Sequence, residues 1–208
     1  MQISVNSISV HTNERRTTGS QVLVMAGFEP VDEHILIEGA KIGSRLISLD
    51  EEIDINADAI TRFYAFRTGE VFTFTVNGHG FQWGREEITE AELRELSNVP
   101  EDDVFIFERG DAEPRILVAS DKVSLGDHGT EHLKTEKRMV TVIYDDVPKQ
   151  IPRGTYTTEA LLSIFGVQTG YLLNLADEHG LHTLKPDQRT HVKDGIRFFS
   201  QVPGGGSS

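Results

Sequence analysis

Alternating apolar and polar positions mark a strand at the head of three similar stretches: Gln2-Ile3-Ser4-Val5, Phe72-Thr73-Phe74-Thr75-Val76 and Val140-Thr141-Val142-Ile143-Tyr144. A period of two puts every second side chain on one face of a sheet. Each run meets a turn former, Asn6-Ser7, Asn77-Gly78 or Asp145-Asp146, at successive offsets of 71 and 68 residues. Asn-Gly between alternating runs predicts a tight hairpin. The offsets recur downstream. Thr18, Thr89 and Thr157 stand where helices should start, and Thr89-Glu90-Ala91-Glu92 fits a capping box. Thr18 is followed by Gly19-Ser20 and lacks that acidic start. Three apolar sets keep both offsets: Val22, Leu93 and Leu161; Met25, Leu96 and Ile164; Phe28, Val99 and Val167. Their spacing of three predicts one buried face of a short helix.

An apolar strand then follows in each stretch, at His34 to Ile37, Val104 to Phe107 and Tyr171 to Leu175. Polar segments lead to Asp50, Asp121 and Asp187, and closing strands are expected at Ile60 to Phe66, Thr130 to Lys134 and Ile196 to Ser200. Each unit therefore reads hairpin, helix, strand, short strand, final strand, a repeat of about 70 residues. One helix per unit must pack across one face of a mixed sheet, with the first and last strands side by side in its centre. This predicts an α+β chain of three tandem β-grasp domains. The expected boundaries are 1–69, 70–137 and 138–202, with a flexible glycine-rich tail at 203–208. Domains this small are marginal on burial alone, so packing between neighbours would help them. The short linkers Arg67-Thr68-Gly69-Glu70 and Glu136-Lys137-Arg138 leave little slack.

Composition narrows the function. The chain holds 33 acidic against 20 basic residues, net −13, which argues against a nucleic-acid partner. It has no cysteine, so it offers no disulfide, thiolate metal site or thioester carrier of its own. No apolar run approaches the roughly 18 residues of a membrane span, and the polar start is no signal peptide. A cytoplasmic protein without a membrane partner is expected.

Candidate chemistry is sparse. His128 and His132 are four apart, His179 and His182 three apart, but both pairs flank a glycine (Gly129, Gly180) and read as turn residues. No metal is expected. Gly78-His79-Gly80 and Gly84 match no Walker pattern, and Gly78 is explained by the hairpin. The acidic pairs Glu51-Glu52, Glu86-Glu87 and Asp102-Asp103 lack a companion nucleophile, so neither an enzyme nor a cofactor is expected. Trp83 and Phe81 alternate on the second strand of the central unit and read as core. Facing outward, either would mark a partner patch.

The units resemble the bacterial multiubiquitin, or tandem ubiquitin-like, proteins. The resemblance is carried by Thr73-Phe74-Thr75-Val76-Asn77, by Ile88 through Leu96 with Val99-Pro100, by Thr157 through Leu162 with Phe165-Gly166-Val167, and by Phe198-Phe199. It implies a protein modifier joined through its C-terminus to target proteins. It also implies operon partners: a ubiquitin-activating-like enzyme, a conjugating-like enzyme and a zinc metallopeptidase, in antiphage defence.

The ending Val202-Pro203-Gly204-Gly205-Gly206-Ser207-Ser208 fits that role. Proline starts an extended tail, and glycines let the backbone thread a narrow channel. The resemblance makes Gly204, Gly205 and Gly206 the conjugation and processing residues. Ser207 and Ser208 become an extension removed by cleavage after Gly206 or Gly205. Gly-Gly-Gly-Ser-Ser also fits a flexible linker. A non-conjugated β-grasp scaffold or filament former, with self-association, is the alternative. A sulfur carrier is disfavoured by the three units.

Overall fold

The computed structural model describes residues 1–55, 60–108, 113–126, 129–178 and 180–202. The first repeat comprises β1 (Gln2–Val5), β2 (Ile8–His11), β3 (Arg16–Thr18), α1 (Gly19–Met25), β4 (Ile35–Gly39), β5 (Ser44–Ile47), β6 (Glu52–Asp54) and β7 (Thr61–Phe66). The second has β8 (Phe72–Val76), β9 (His79–Trp83), β10 (Glu87–Thr89), α2 (Glu90–Ser97), β11 (Asp103–Glu108), β12 (Arg115–Ile116), β13 (Lys122–Ser124) and β14 (Glu131–Lys137). The third has β15 (Met139–Tyr144), β16 (Val147–Pro152), β17 (Gly154–Thr157), α3 (Thr158–Phe165), β18 (Leu172–Asp177), β19 (Gly180–Thr183), β20 (Arg189–Val192) and β21 (Arg197–Gln201).

Each repeat forms a five-stranded mixed sheet under one helix, the β-grasp arrangement. The first sheet runs β2-β1-β7-β4-β5, and the other two repeat this order with their own strands. First and last strands pair in parallel at the centre: Val5 with Phe63, Val76 with Leu133, Tyr144 with Phe198. A two-stranded ribbon that the periodicity does not reveal (β3–β6, β10–β13, β17–β20) feeds each helix. Its strands are three or four residues long, too short for alternation to register.

The expected turns and caps are present. Asn6, Ser7, Asn77, Asp145 and Asp146 all take positive φ, as does Gly78, the geometry of a two-residue hairpin. Thr18, Thr89 and Thr157 cap α1, α2 and α3. The first helix makes a full capping box despite its missing acid, because Gln21 returns to the Thr18 amide.

One expectation here needs correction. Phe28, Val99 and Val167 lie beyond their helices. Their amides bond back five residues to Leu23, Arg94 and Leu162, so their apolar contact closes a Schellman-type stop. The polar segments bond to the helix entries. The helix-entry amides of Gly19, Glu90 and Thr158 donate to Glu51, Asp121 and Gln188. Asp121 is itself the acceptor, and Asp50 and Asp187 each precede theirs by one residue.

Residues 1–136 form one compact unit and residues 137–208 another. Within the first unit the two sheets share a core. Along β4 and β7 the alternation splits cleanly: Leu36, Phe63 and Ala65 enter the core under α1, whereas Ile37, Tyr64 and Phe66 enter the core of the second repeat. Trp83 sits 4.7 Å from the Phe66 ring and 5.3 Å from Tyr64. Polar contacts seal the seam. Ser44 Oγ donates to the Gln82 carbonyl at 2.8 Å and accepts from its amide at 2.7 Å, while Gln82 Oε1 accepts from the Leu46 amide at 2.5 Å. Two otherwise open strand edges are thereby capped by side chains. Glycine permits the close approach: a Cβ on Gly84 would fall 2.4 Å from the Phe66 ring.

This seam alters the expected helix face. Leu96 is 1% exposed because the first repeat covers it, while Met25 and Ile164, at matching positions, are 37% and 42% exposed. Val22, Leu93 and Leu161 are fully buried as expected. Among the described residues no helix is long and apolar enough to cross a membrane.

Candidate functional site

The candidate site is the root of the C-terminal tail. β21 is the central strand of its sheet, parallel to β15 and antiparallel to β18. Phe198 is fully buried and tilts 5.3 Å from the Phe165 ring of α3. Ser200 is hooked by the hairpin turn: its amide donates to Asp145 Oδ1 at 2.8 Å and its hydroxyl to Oδ2 at 2.6 Å. Burial pushes the Asp145 carboxyl up, but the Ser200 bonds and the Tyr144 hydroxyl outweigh it and hold the group below the usual aspartate range. Charge-assisted bonds of this kind are stronger than neutral ones. Gln201 Oε1 accepts from Asn174 Nδ2 at 3.0 Å, and Asn174 Oδ1 accepts from the Thr183 hydroxyl at 2.6 Å. The chain is therefore held through Gln201, and Val202 is exposed. Gly204, Gly205 and Gly206 lie outside the described residues.

The same hook recurs in the other repeats. Asn6 exchanges two bonds with the Ala65 backbone, and Asn77 bonds the amide and hydroxyl of Thr135. The turn residues were legible as turn formers. Their second role was not, because its partner lies 55 to 59 residues away. The third repeat uses aspartate where its partner supplies two donors; the first uses asparagine, which can also give a hydrogen to a carbonyl.

The repeat order, the hooked central strand and the helix caps recur three times. Residues 72–138 match the multiubiquitin family model. The match spans the second repeat and supports a multiubiquitin-type protein with a ubiquitin-like fold in tandem. No curated protein matches the chain.

The other sequence candidates resolve individually. Trp83 and Phe81 are buried, and the partner that Trp83 meets is the preceding repeat. Beside it a cleft of about 690 Å³ is lined by Asn6, Tyr64, Phe66, Arg85 and Glu95, among others. Both of its arginines are already engaged: Arg67 pairs with Glu33, and the Arg85 guanidinium lies over the Phe66 and Trp83 rings and pairs with Glu92. Burial, then the Glu95 charge, raises the Tyr64 phenol to about 12, far from a working acid or base near neutrality. His132 and His182 stand on strands rather than in turns, bonded to Thr75 at 2.8 Å and Asp177 at 3.1 Å. His128 and His179 lie outside the described residues. Among the described residues no three acidic or histidine side chains are grouped to hold a metal ion.

Proposed function

We propose that the chain is a ubiquitin-like protein modifier, attached to target lysines through a C-terminal glycine carboxylate in bacterial antiphage defence. One observation carries the reading. A strand pinned at the centre of its sheet through Gln201 is followed in sequence by Val-Pro-Gly-Gly-Gly. A rigid root with a side-chain-poor extension suits delivery of a carboxylate into an enzyme channel. A zinc metallopeptidase would hydrolyse the bond after Gly206 or Gly205 and release the serines. The freed carboxylate would attack the α-phosphate of ATP on the activating enzyme, expelling pyrophosphate. An enzyme thiolate would displace AMP to form a thioester. A lysine amine would then take the acyl group and release the thiol, the thioester having passed through the conjugating enzyme.

The test is incubation of the chain ending at Gly206 with its cognate activating enzyme and ATP. An ATP-dependent covalent product is expected, and deletion of Gly204 to Gly206 should abolish it while leaving the thermal melt unchanged. No ATP-dependent product from the intact chain would end the proposal.

A further inference from the structure

We propose that Asn77 is a site of spontaneous deamidation, closed while the hairpin turn grips the last strand of the second repeat and opened when that strand lets go. Of the chain's six asparagines only Asn77 precedes a glycine. Both residues are exposed on the turn between β8 and β9. The reaction needs no enzyme. The Gly78 amide nitrogen attacks Asn77 Cγ, the Cγ–Nδ2 bond breaks, and ammonia leaves with the proton that Gly78 gives up. The resulting succinimide takes up water at either carbonyl and opens to aspartate or isoaspartate. Glycine has no Cβ to crowd the attacking nitrogen, so in the unfolded chain this asparagine should react before the others.

The folded turn withholds the nucleophile. Asn77 and Gly78 have φ of 52° and 80°, the two positive values of a type I′ turn. That turn sets the first residue's ψ at about +30°. Ring closure needs the Gly78 nitrogen eclipsed with Cβ about the Cα–C bond; at this ψ it lies about 150° away, on the far side. Three bonds to β14 hold Asn77 there. Its amide donates to the Leu133 carbonyl at 2.9 Å, its Nδ2 donates to Thr135 Oγ1 at 2.9 Å, and its Oδ1 accepts from the Thr135 amide at 2.9 Å. The two side-chain bonds tie down the very group that must rotate toward Gly78. Attack therefore waits for the end of β14 to part from the turn. Three bonds of ordinary net worth oppose that opening. The folded chain should thus lose the Asn77 amide at least about tenfold more slowly than the unfolded chain, the factor that about 1.4 kcal/mol sets. Asn6-Ser7 has the same positive-φ turn and hook and serves as an internal reference.

The experiment is incubation of the purified chain at mildly alkaline pH in heavy-oxygen water, folded and in guanidinium chloride, followed by digestion and mass spectrometry of the asparagine peptides. It uses no ATP or conjugation enzyme, so its outcome is separate from conjugation. In denaturant Asn77 should be the first asparagine to exchange its amide for oxygen, and folding should slow it by the factor above. Thr135→Val removes one of the three bonds and should speed the folded reaction about two- to tenfold, the weight of one such bond. Thr135→Ser keeps the hydroxyl and should match the parent. Asn6 shares the compact unit, and its rate should stay level in both variants. Circular dichroism checks each fold, and Thr135→Ala replaces a valine variant that unfolds. The proposal is overturned by equal Asn77 rates in the folded and unfolded chain, or by another asparagine reacting first in denaturant. It is equally overturned by a folded Thr135→Val chain no faster than the parent, by a serine variant as fast as the valine one, or by Asn6 accelerating in step with Asn77.

Discussion

The helix-free faces of the first and third sheets are built from the same positions and end in opposite chemistry. Counting from the hooked residues Ala65 and Ser200, Ile37 corresponds to Asn174, Tyr64 to Phe199 and Phe66 to Gln201. The first set is apolar and buried in the neighbouring repeat's core; the third replaces two of its members by a hydrogen-bonded amide pair. What is constant among the repeats is what closes a β-grasp unit: a positive-φ turn that grips the last strand, a threonine cap, and a leucine or valine under the helix. The free face is not needed for closure and can become a seam or a self-satisfied surface.

The sharpest break of the comparison is Trp83→Ala. The indole contacts both Tyr64 and Phe66 across the seam, so truncation should cost about 3–5 kcal/mol. Both early repeats should then melt at lower temperature as one transition, with the third unit's transition unmoved in calorimetry. Trp83 is the chain's single tryptophan, so its fluorescence follows only that unit. A loss confined to the second repeat would show that the shared core is not cooperative. Asn174→Ala is the complementary test. It removes both bonds of the buried amide to the exposed Gln201 and Thr183 side chains, which water can then reach, and a cost of about 0.5–1.5 kcal/mol is expected in the third transition alone. An unchanged denaturation midpoint would mean that water replaces the amide without penalty.

The closure features were legible in the sequence because they are local. Asn77-Gly78, Thr89 through Glu92 and the alternation of β8 each declare themselves within a few residues. The seam was not, because Ile37, Tyr64 and Phe66 sit in strands whose apolar content reads equally well as a single core. Only the pattern of both faces apolar in β4 and β7 hinted that two cores meet there. Met25, Leu96 and Ile164 share a spacing but differ in burial, since spacing specifies a face and not what covers it. At the candidate site the glycine run stood out from composition alone. The Asp145–Ser200 and Asn174–Gln201 anchors depend on contacts between distant segments, which no local pattern encodes.

The smallest effect, and the finest probe of how equivalent repeats differ, lies at the helix caps. Thr89 and Thr157 accept the same amide bond, but only Thr89 has a carboxylate at the third helical position, where Thr157 has Ala160. Burial pushes the Glu92 carboxyl up, and the Thr89 amide and hydroxyl with Arg85 outweigh it, holding Glu92 below the ordinary glutamate range. A carboxyl depressed in the folded state contributes stability that is complete above its unfolded value, about 4.3. That contribution is lost as pH falls through the lower folded value. Each Thr→Ala change should cost about 1 kcal/mol near neutrality, with Thr89→Ala the larger because it also removes a bond to Glu92. Below the folded Glu92 value that excess should vanish, whereas the Thr157→Ala cost should stay level across the same range. Urea midpoints at neutral and acidic pH, read by Trp83 fluorescence for the first unit and by circular dichroism for the third, decide it. Parallel costs for both variants at every pH would show that the reciprocal carboxylate adds nothing to the cap.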